Sequence, residues 1–193
     1  MLALTIIGNN SAIPAFDRNP TAQVLQTMEE DFLIDCGEGT QMQLSKYKIK
    51  RSRITHIFIS HLHGDHYFGL IGLLTSMSLL NRFQDLHIHA PAPLEQLIKL
   101  QLDFASSQLT YKLYFHTLND KGLIVDTNKI TVESFKVKHR IDCWGFIFRE
   151  KKNPRKIDAE RARIYEVPAA FYNNLQQGED YVNKKGTIVP NEE

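Results

Sequence analysis

Short apolar runs separated by polar turns fill the first 60 residues of the chain. The runs at 2–7, 24–28 and 32–34 each have the length of a strand, and the acidic residues between the last two predict a hairpin turn. The intervening segment 9–21 holds asparagine, serine and two prolines and predicts a loop. A further apolar run, Ile57 to Ile59, predicts a buried strand.

Helical spacing of apolar residues follows, and then a stretch rich in strands. Residues 66–80 and 94–102 predict helices, with a strand at 86–90 between them. In the stretch 130–137 the apolar alternation slips by one residue, which allows a bulge near Glu133. The remaining strands of this stretch are predicted at 111–115, 123–125 and 144–148. The order of elements favours a layered α/β (α+β) fold with mixed sheets.

The character of the chain changes after Arg149. Residues 149–163 hold seven basic and three acidic side chains, and residues 165–193 are polar with few apolar positions. We therefore expect residues 1–149 to form the main domain and residues 150–193 to form an arm outside its core.

Composition excludes several classes of protein. The 193 residues are 42% hydrophobic and 23% charged with a net charge of +1, which is typical of a soluble globular protein and gives no global attraction to nucleic acid. The two cysteines, Cys36 and Cys143, fit neither a disulfide framework nor a CxxC zinc site. No apolar run approaches the roughly 18 residues of a membrane span, and the N-terminus lacks the features of a signal peptide. The expected location is the cytoplasm.

Four potential metal ligands come directly after the strand at Ile57. His61, His63, Asp65 and His66 lie within six residues, and Gly64 permits a tight turn among them. Imidazole and carboxylate groups are ligands that zinc prefers, and two pairs of ligands on one turn suit two ions roughly 3.5–4 Å apart. The alternative, a chance run of polar residues in a loop, fits poorly with so dense a cluster behind a strand.

These residues resemble those of a known family. HxHxDH after an apolar strand is similar to the signature of the metallo-β-lactamase superfamily, and the wider sequence resembles its ribonuclease Z branch, the tRNA 3′-processing endonucleases. The segments that carry the resemblance are residues 8–14, Arg18-Asn19, residues 35–41 (DCGEGTQ), residues 60–70, His139 and Trp144-Gly145-Phe146.

The resemblance implies a fold, a reaction and a set of roles. The fold would be an αββα sandwich, and the activity would be removal of the 3′ trailer from precursor tRNA by a metal-activated water. His61, His63 and His139 would hold one zinc ion, whereas Asp65 and His66 would hold a second, with Asp65 also the general base. Spacing alone would have assigned His139, in a basic run, to the surface.

The resemblance also implies ligands that this chain lacks. Ribonuclease Z proteins are longer and carry a bridging aspartate, a histidine-glutamate pair and a final histidine ligand further along. No histidine follows His139 in this sequence. We expect a truncated chain whose sandwich is incomplete at the C-terminus, and whose metal binding alone is weak, partial or absent.

Basic residues supply candidate contacts to RNA. The arm after Arg149 resembles the family's exosite, the element that grips tRNA, and its lysines and arginines could neutralise phosphates. A solvated charged surface is the alternative for each of them. The candidates are Arg18, Lys151, Lys152, Arg155 and Lys156. Residues 37–40 (GEGT) could cradle a phosphate or simply form a tight turn.

Other functions stay open at this point. The chain could be another hydrolase of the superfamily, of the arylsulfatase-like or thioester/lactone type, or a non-catalytic RNA-binding fragment. His/Asp ligands serve manganese as well as zinc, and a homodimer is implied only by the resemblance. The remaining histidines, His56, His87, His89 and His116, are assigned to structure.

Overall fold

The computed structural model describes residues 2–13, 15–151 and 154–191, which divide into two compact units at residue 150. The first unit contains two sheets and four helices among its described residues. Its strands are β1 (Ala3–Gly8), β2 (Ala22–Gln26), β3 (Asp31–Ile34), β4 (Ile54–Phe58), β5 (Leu86–Ala90), β6 (Leu113–Thr117), β7 (Gly122–Asp126), β8 (Ile130–Val137) and β9 (Cys143–Glu150). Its helices are α1 (Thr40–Lys46), α2 (Gly64–Tyr67), α3 (Leu70–Leu79) and α4 (Pro93–Phe104), with a 3₁₀ turn at Arg51–Arg53.

The first sheet has six strands in the order β1-β2-β3-β4-β5-β6. Strands β1, β2 and β3 form antiparallel pairs, which confirms the predicted hairpin, and β3 to β6 are parallel neighbours. Parallel strands end at the same edge of a sheet, so the loops that follow β3 and β4 lie side by side. This edge is where the predicted ligands emerge.

The second sheet is antiparallel and has the order β7-β8-β9. The irregularity predicted near Glu133 is present on the β7 side of β8, whereas β8 and β9 pair without interruption from Ile130–Glu150 to Val137–Cys143. Leu123 pairs with Glu133 and Val125 pairs with Val132, so the extra residue belongs to β7. The apolar alternation slips because the first apolar residues of β8 are buried, whereas the last ones lie on its other face and are more exposed.

Apolar side chains fill two separate layers on the two faces of the first sheet. Helices α1, α3 and α4 cover one face, with Leu44, Leu73 and Ile98 buried against the sheet. The second sheet covers the other face, where Phe58 and Val132 are buried together. The resulting layers of helices, sheet and sheet confirm the predicted mixed α/β class.

The single helix predicted for residues 66–80 is two helices in the structure, α2 and α3. The break lies at Gly69, whose amide donates to the carbonyl oxygen of Cys36 over 3.0 Å. A Cβ atom at position 69 would lie 2.1 Å from the carbonyl oxygen of Gly37. The close approach of another backbone therefore interrupts the helix, which apolar spacing alone could not indicate.

The second unit, residues 151–193, has its own secondary structure. It consists of α5 (Ala159–Ile164), a 3₁₀ turn (Ala169–Phe171), α6 (Tyr172–Gln177) and a hairpin of β10 (Tyr181–Val182) and β11 (Ile188–Val189). Asp158 caps α5 by accepting hydrogen bonds from the amides of Glu160 and Arg161. Among the described residues of both units, no helix is both long and apolar enough to cross a membrane.

Candidate metal centre

The loops after β3 and β4 form the site. The amide of Asp35 donates to the carbonyl oxygen of Phe58 over 2.8 Å. The amide of Cys36 donates to the carbonyl oxygen of His66 over 2.7 Å. Gly37 permits this contact, because a Cβ atom there would lie 2.5 Å from the carbonyl oxygen of Asp65. Residues 35–37 thus support the ligand loop from behind, which favours the turn interpretation of the GEGT segment over a phosphate cradle.

Three of the predicted ligands converge on one point. Nε2 of His61 lies 3.0 Å from Nδ1 of His63, and Nε2 of His139 lies 3.2 Å from the same Nδ1 atom. The three groups could hold a metal ion together. Imidazole nitrogens bound to one zinc ion at roughly 2.0–2.1 Å have separations of this size, so the donor set fits such an ion.

His139 reaches this point from a distant part of the chain. It follows β8, and it lies 76 residues beyond His63 in sequence. The first strand after it, β9, is tied to the ligand loop where the amide of Trp144 donates to the carbonyl oxygen of Ser60 over 2.9 Å. The antiparallel turn between β8 and β9 therefore brings His139 to the other two histidines.

The two remaining predicted ligands lie beside this triad. The ring centroids of His61 and His66 are 3.8 Å apart, and Nε2 of His66 lies 3.6 Å from a carboxylate oxygen of Asp65. Nε2 of His66 and the carboxylate of Asp65 therefore lie close together next to the triad. The structure brings all five predicted ligands into one place.

Asp35 and Ser60 form a layer of partners behind the histidines that sequence reasoning missed. The carboxylate of Asp35 lies 2.8 Å from Nδ1 of His66 and accepts from both the amide and the hydroxyl of Ser60, at 2.8 and 3.1 Å. The Ser60 hydroxyl in turn lies 3.0 Å from Nδ1 of His61. Because a carboxylate only accepts, this hydrogen bond requires a proton on Nδ1 of His66, so in a neutral ring the lone pair is on Nε2. The same reasoning through Ser60 leaves Nε2 of His61 free to bind a metal.

The backbone at Asp35 is held in a rare conformation. Its φ angle is +56°, in the left-handed region that non-glycine residues seldom adopt. The residue is buried, and its carboxylate makes the three contacts just described. A strained backbone at such a position is found where the surrounding contacts over-determine it, as they do here.

Burial of His61 favours a neutral imidazole at this ligand. Burial lowers the pKa of His61 to about 4, with further lowering from His66 and His63. A neutral ring has the free lone pair that a metal ion needs. Nearby, the thiol of Cys143 lies 3.8 Å from Nδ1 of His61, and burial followed by the charge of Asp35 raises its pKa.

A groove adjoins the centre. It has a volume of about 390 Å³ and is lined by Asp65 and His66 together with residues of the loop after β1, among them Asn9, Asn10 and Ser11. The loop is closed by a backbone contact in which the amide of Asn10 donates to the carbonyl oxygen of Asn19 over 3.0 Å. A substrate bound in this groove would reach the carboxylate of Asp65.

The predicted RNA contacts have different environments. Arg18 is exposed on the loop after β1, in the first unit, and its amide donates to the carbonyl oxygen of Ala15. Arg155 and Lys156 both line a cavity within the second unit. Lys151 is exposed, and Lys152 lies outside the described residues.

The other four histidines form a second cluster, which we call the histidine array: His56 on β4, His87 and His89 on β5, and His116 on β6. Nδ1 of His56 lies 3.0 Å from Nε2 of His89, and Nδ1 of His87 lies 2.9 Å from Nε2 of His116. The two hydrogen-bonded pairs stack on each other, with ring centroids 4.9 Å apart for His56 and His87 and 4.6 Å apart for His89 and His116.

Known proteins resemble this chain in sequence and in fold. The model of the family described as Anti-Pycsar protein Apyc1 matches residues 2–153. A ribonuclease Z of Bacteroides thetaiotaomicron is 45% identical over 190 residues, which cover 97% of this chain and 60% of that protein. A ribonuclease Z of Phocaeicola vulgatus is 45% identical over 189 residues, covering 96% and 61%. The predicted resemblance to ribonuclease Z is confirmed, and the chain spans about 60% of the length of these curated relatives.

Solved structures point the same way. The human tRNase Z short form (ELAC1) has a TM-score of 0.71 and 35% identity, covering 78% of this chain and 65% of that one. A metallo-β-lactamase fold protein of Bacillus subtilis, YhfI, has a TM-score of 0.63 at 20% identity, covering 77% and 57%, and supports the fold alone. The chain has the metallo-β-lactamase fold that the motifs predicted. It belongs to the family described as Anti-Pycsar protein Apyc1.

Proposed function

We propose, with this family membership as the premise, that the chain is part of a metal-dependent endoribonuclease of the ribonuclease Z type that removes the 3′ trailer from precursor tRNA. The observation that carries the proposal is the convergence of His61, His63 and His139 beside Asp65 at the edge of the first sheet. Ribonuclease Z proteins with 36–45% identity over nearly the whole chain support the same reaction.

Two zinc ions are the proposed cofactors. His61, His63 and His139 would hold one ion, and Asp65 and His66 would contribute to the site of the second. Such ions supply positive charge to the reacting phosphodiester and lower the pKa of the attacking water. Three converging imidazoles support zinc, although the same ligands also suit manganese.

Asp65 is the proposed general base. Its carboxylate lines the groove beside the centre, where a bound phosphodiester would lie within its reach. Water attacks phosphorus in line with the bond to the 3′ oxygen of the tRNA, and Asp65 accepts a proton of that water. The 3′ oxygen leaves and takes up a proton to become a hydroxyl, so the phosphate stays on the trailer. Asp35 and Ser60 hold His66 and His61 in orientation while this happens.

The second unit supports RNA as the substrate. The family match ends at residue 153, whereas the ribonuclease Z relatives match 188 residues or more and therefore include most of residues 154–193. We assign residues 1–149 to the catalytic domain and residues 150–193 to an RNA-binding exosite. The basic residues proposed to contact RNA are Arg18, Lys151, Lys152, Arg155 and Lys156. A hydrolase of small esters, the alternative, has no use for such a unit.

A homodimer in the cytoplasm completes the proposal. Met42 on α1, Leu79 at the end of α3 and Leu80 directly after it are exposed and line one shallow surface of the first unit. Exposed apolar side chains that share a surface are typical of protein contacts. Sedimentation of the chain and of Leu79→Glu would test whether this surface joins two copies.

The decisive experiment joins the chain to the part of the Bacteroides thetaiotaomicron ribonuclease Z that lies outside the matched 190 residues. We expect the chimera with zinc to cleave a precursor tRNA at the 3′ trailer and the Asp65→Asn chimera to lose at least about a hundredfold in rate. The chimera Lys184→Gln, changed at an exposed charge, is the matched control. A chimera that hydrolyses a small phosphodiester or thioester but leaves precursor tRNA intact would overturn the proposal.

A further inference from the structure

The second unit contains a cavity of about 260 Å³ within its own fold, between α5, α6 and the hairpin of β10 and β11. Its walls are largely apolar and include Val167 and Leu175 with the ring of Tyr165. Its rim carries Arg155 and Lys156. Ligand sites combine apolar walls with a few fixed polar groups in this way, and their volumes begin at roughly 300 Å³. This cavity, at about 260 Å³, lies just below that range and has room for a ligand no larger than about one nucleotide.

Arg155 is fixed in place before any ligand arrives. Its guanidinium donates a hydrogen bond to the side-chain oxygen of Asn191. Asn191 is itself held by three contacts, to a carboxylate oxygen of Asp180 at 2.8 Å and to the carbonyl oxygens of Leu175 and Glu179 at 2.8 and 3.2 Å. A side chain ordered in advance loses less conformational entropy on binding, which favours affinity.

Gly178, at the end of α6, lies beside Arg155. The helix ends at Gly178 with φ +95°, and the guanidinium lies 3.5 Å from where a Cβ atom would be. A Cβ atom there would be in ordinary van der Waals contact with the guanidinium, so the positive φ angle is what favours glycine at this position. Because Asn191 is a neutral partner, the positive charge of Arg155 is not cancelled by this contact, and a guanidinium has further N–H groups for a phosphate.

The charge of the cavity favours an anion. Among the residues that the structure describes, Arg155, Lys156 and Arg161 line it together with one acidic residue, Asp158. The carboxylate of Asp158 is engaged at the start of α5, where it accepts from two backbone amides at 3.0 Å. A ligand with a phosphate on the rim and a flat apolar part against Tyr165 and Val167 would satisfy both the charge and the walls.

We propose that this cavity binds a single unstacked nucleotide of an RNA chain, with its phosphate on Arg155 and Lys156 and its base against Tyr165 and Val167. The inference rests on the proposed function for the choice of RNA over a free nucleotide. It adds a pocket for a base to a surface otherwise expected to attract only the phosphate backbone.

Binding to the full chain tests the pocket without any cleavage. Uridine 5′-monophosphate, uridine, inorganic phosphate and a six-nucleotide oligouridylate would be titrated while amide shifts of residues 155–191 are followed by NMR. We expect the two phosphorylated nucleotide ligands to shift the same cavity amides, and inorganic phosphate to bind at least about tenfold more weakly than the monophosphate. Equal affinity for inorganic phosphate would overturn the proposal, because it would mean that only an anion is recognised.

Variants locate the ligand. Arg155→Gln and Lys156→Gln should each weaken the monophosphate about tenfold or more, as expected for loss of a charge-assisted hydrogen bond. The matched control is Lys184→Gln, at an exposed lysine between β10 and β11, which should change nothing. Because Arg155 also contacts Asn191, the thermal unfolding of the Arg155→Gln variant is measured in parallel. If that variant unfolds, the test rests on Lys156→Gln. Unchanged affinity in Lys156→Gln, or an equal loss in the control, would overturn the pocket.

The outcomes separate the two proposals. Monophosphate binding that depends on Lys156 in a chain whose chimera does not cleave precursor tRNA would retain the pocket and reject the ribonuclease. Cleavage by a chimera in which Lys156→Gln changes neither monophosphate nor oligouridylate binding would retain the ribonuclease and reject the pocket. Preference for the free monophosphate over the oligouridylate would reject RNA as the occupant.

Discussion

The histidine array and the candidate metal centre each contain four of the eight histidines in the chain. In the centre, nitrogens of His61, His63 and His139 face one shared point, and within the described residues they make the one three-membered group that could hold a metal ion. In the array, the nitrogens face each other in two separate pairs. Histidine therefore has two different roles in this chain. Where the lone pairs of several rings face one point they can bind a metal ion, and where a lone pair faces another ring it accepts a hydrogen bond.

The partners behind the rings differ as well. Asp35 and Ser60 orient the histidines of the centre with polar oxygen atoms. The array is bounded by aromatic rings instead, with Phe58 stacked on His89 at 4.7 Å and Tyr114 on His87 at 5.1 Å. A carboxylate or hydroxyl behind an imidazole fixes its protonated nitrogen and raises its basicity as a ligand. Counting histidines would not distinguish the two clusters, whereas their outer partners do.

The largest expected effect comes from removing a ligand of the centre. His63→Ala should weaken zinc binding by more than about a hundredfold, beyond the range that changes to outer partners produce. His116→Ala in the array should leave zinc affinity unchanged. Both variants are made in the chimera described above, and competition with a chromophoric zinc chelator measures their zinc affinity.

Each result bears directly on the comparison. An array variant that loses as much zinc affinity as His63→Ala would show that both clusters bind metal, and the distinction drawn from geometry would fail. Zinc affinity that survives in His63→Ala would place the ion elsewhere. Unfolding measured in parallel guards against a simple loss of structure in either variant.

A smaller effect is expected from the outer layer of the centre. Asp35→Asn should weaken zinc binding by roughly 10–100-fold, because the partner that orients His66 is lost while the ligands remain. Asparagine tolerates the positive φ angle of position 35 better than most residues, so the backbone should keep its conformation. The readout is again chelator competition, together with the thermal unfolding of the metal-free chain.

Ser134→Ala is a suitable control for Asp35→Asn. Ser134 is a buried polar residue whose hydroxyl donates to the carbonyl oxygen of Asp120, at a distance from the ligand loop in sequence. It should destabilise the fold slightly and leave zinc affinity intact. If Asp35→Asn behaves like Ser134→Ala in both measurements, the carboxylate stabilises the fold without orienting the ligands.

Sequence reasoning found the ligand loop because its residues are adjacent in the chain. His61, His63, Asp65 and His66 are separated by a few residues, so their common site follows from local spacing. His139 was identified by family resemblance alone, since nothing local signals that the turn after β8 reaches the loop after β4. Asp35 was missed, although a rule existed to find it: β3 and β4 are parallel neighbours, so residues after both strands meet.

The fold shows the same limit. The β2–β3 hairpin and the division into helices and strands were predicted, because apolar period and turn residues are local signals. The break between α2 and α3 was not, since it results from the backbone near Gly37 pressing on Gly69. Pairing of His56 with His89 was also beyond prediction, because it depends on the register of β4 against β5.

The smallest expected effect is the pH dependence that the array gives to stability. Burial, followed by neighbouring histidines, lowers the pKa of His56 to about 4 and that of His89 to about 2. His87 and His116 also lower the pKa of these two rings, and the phenol of Tyr114 stacks on His87. His56 and His89 are therefore neutral at pH 7, and one hydrogen forms the bond between them.

The sign follows from proton uptake. In the unfolded chain these rings take up protons near pH 6.5, whereas in the folded chain they stay neutral to much lower pH. The unfolded state therefore binds more protons below pH 6.5, and stability falls as the pH falls from about 6.5 towards 4. Each ring contributes at most about 1.4 kcal/mol per pH unit to this loss. Above pH 6.5 neither state gains protons here, so the array gives no slope.

Replacing one hydrogen-bonded pair by rings of similar shape isolates this effect. The double variant His56→Phe, His89→Phe should keep the stacks and be close to the parent in stability at pH 7.5, because both polar partners are removed together. Its urea-unfolding free energy should decline less steeply than the parent's between pH 6.5 and 5, both measured without metal. His89→Phe alone leaves His56 without its partner and should cost about 1–3 kcal/mol at pH 7.5.

The centre's histidines are the same in all three chains, so their protonation cancels in the comparison. If the unfolding free energy of the parent and of the double variant had identical pH slopes, the acid sensitivity of the fold would arise from the metal centre. The histidine array would then not make the contribution to pH dependence that its buried rings predict.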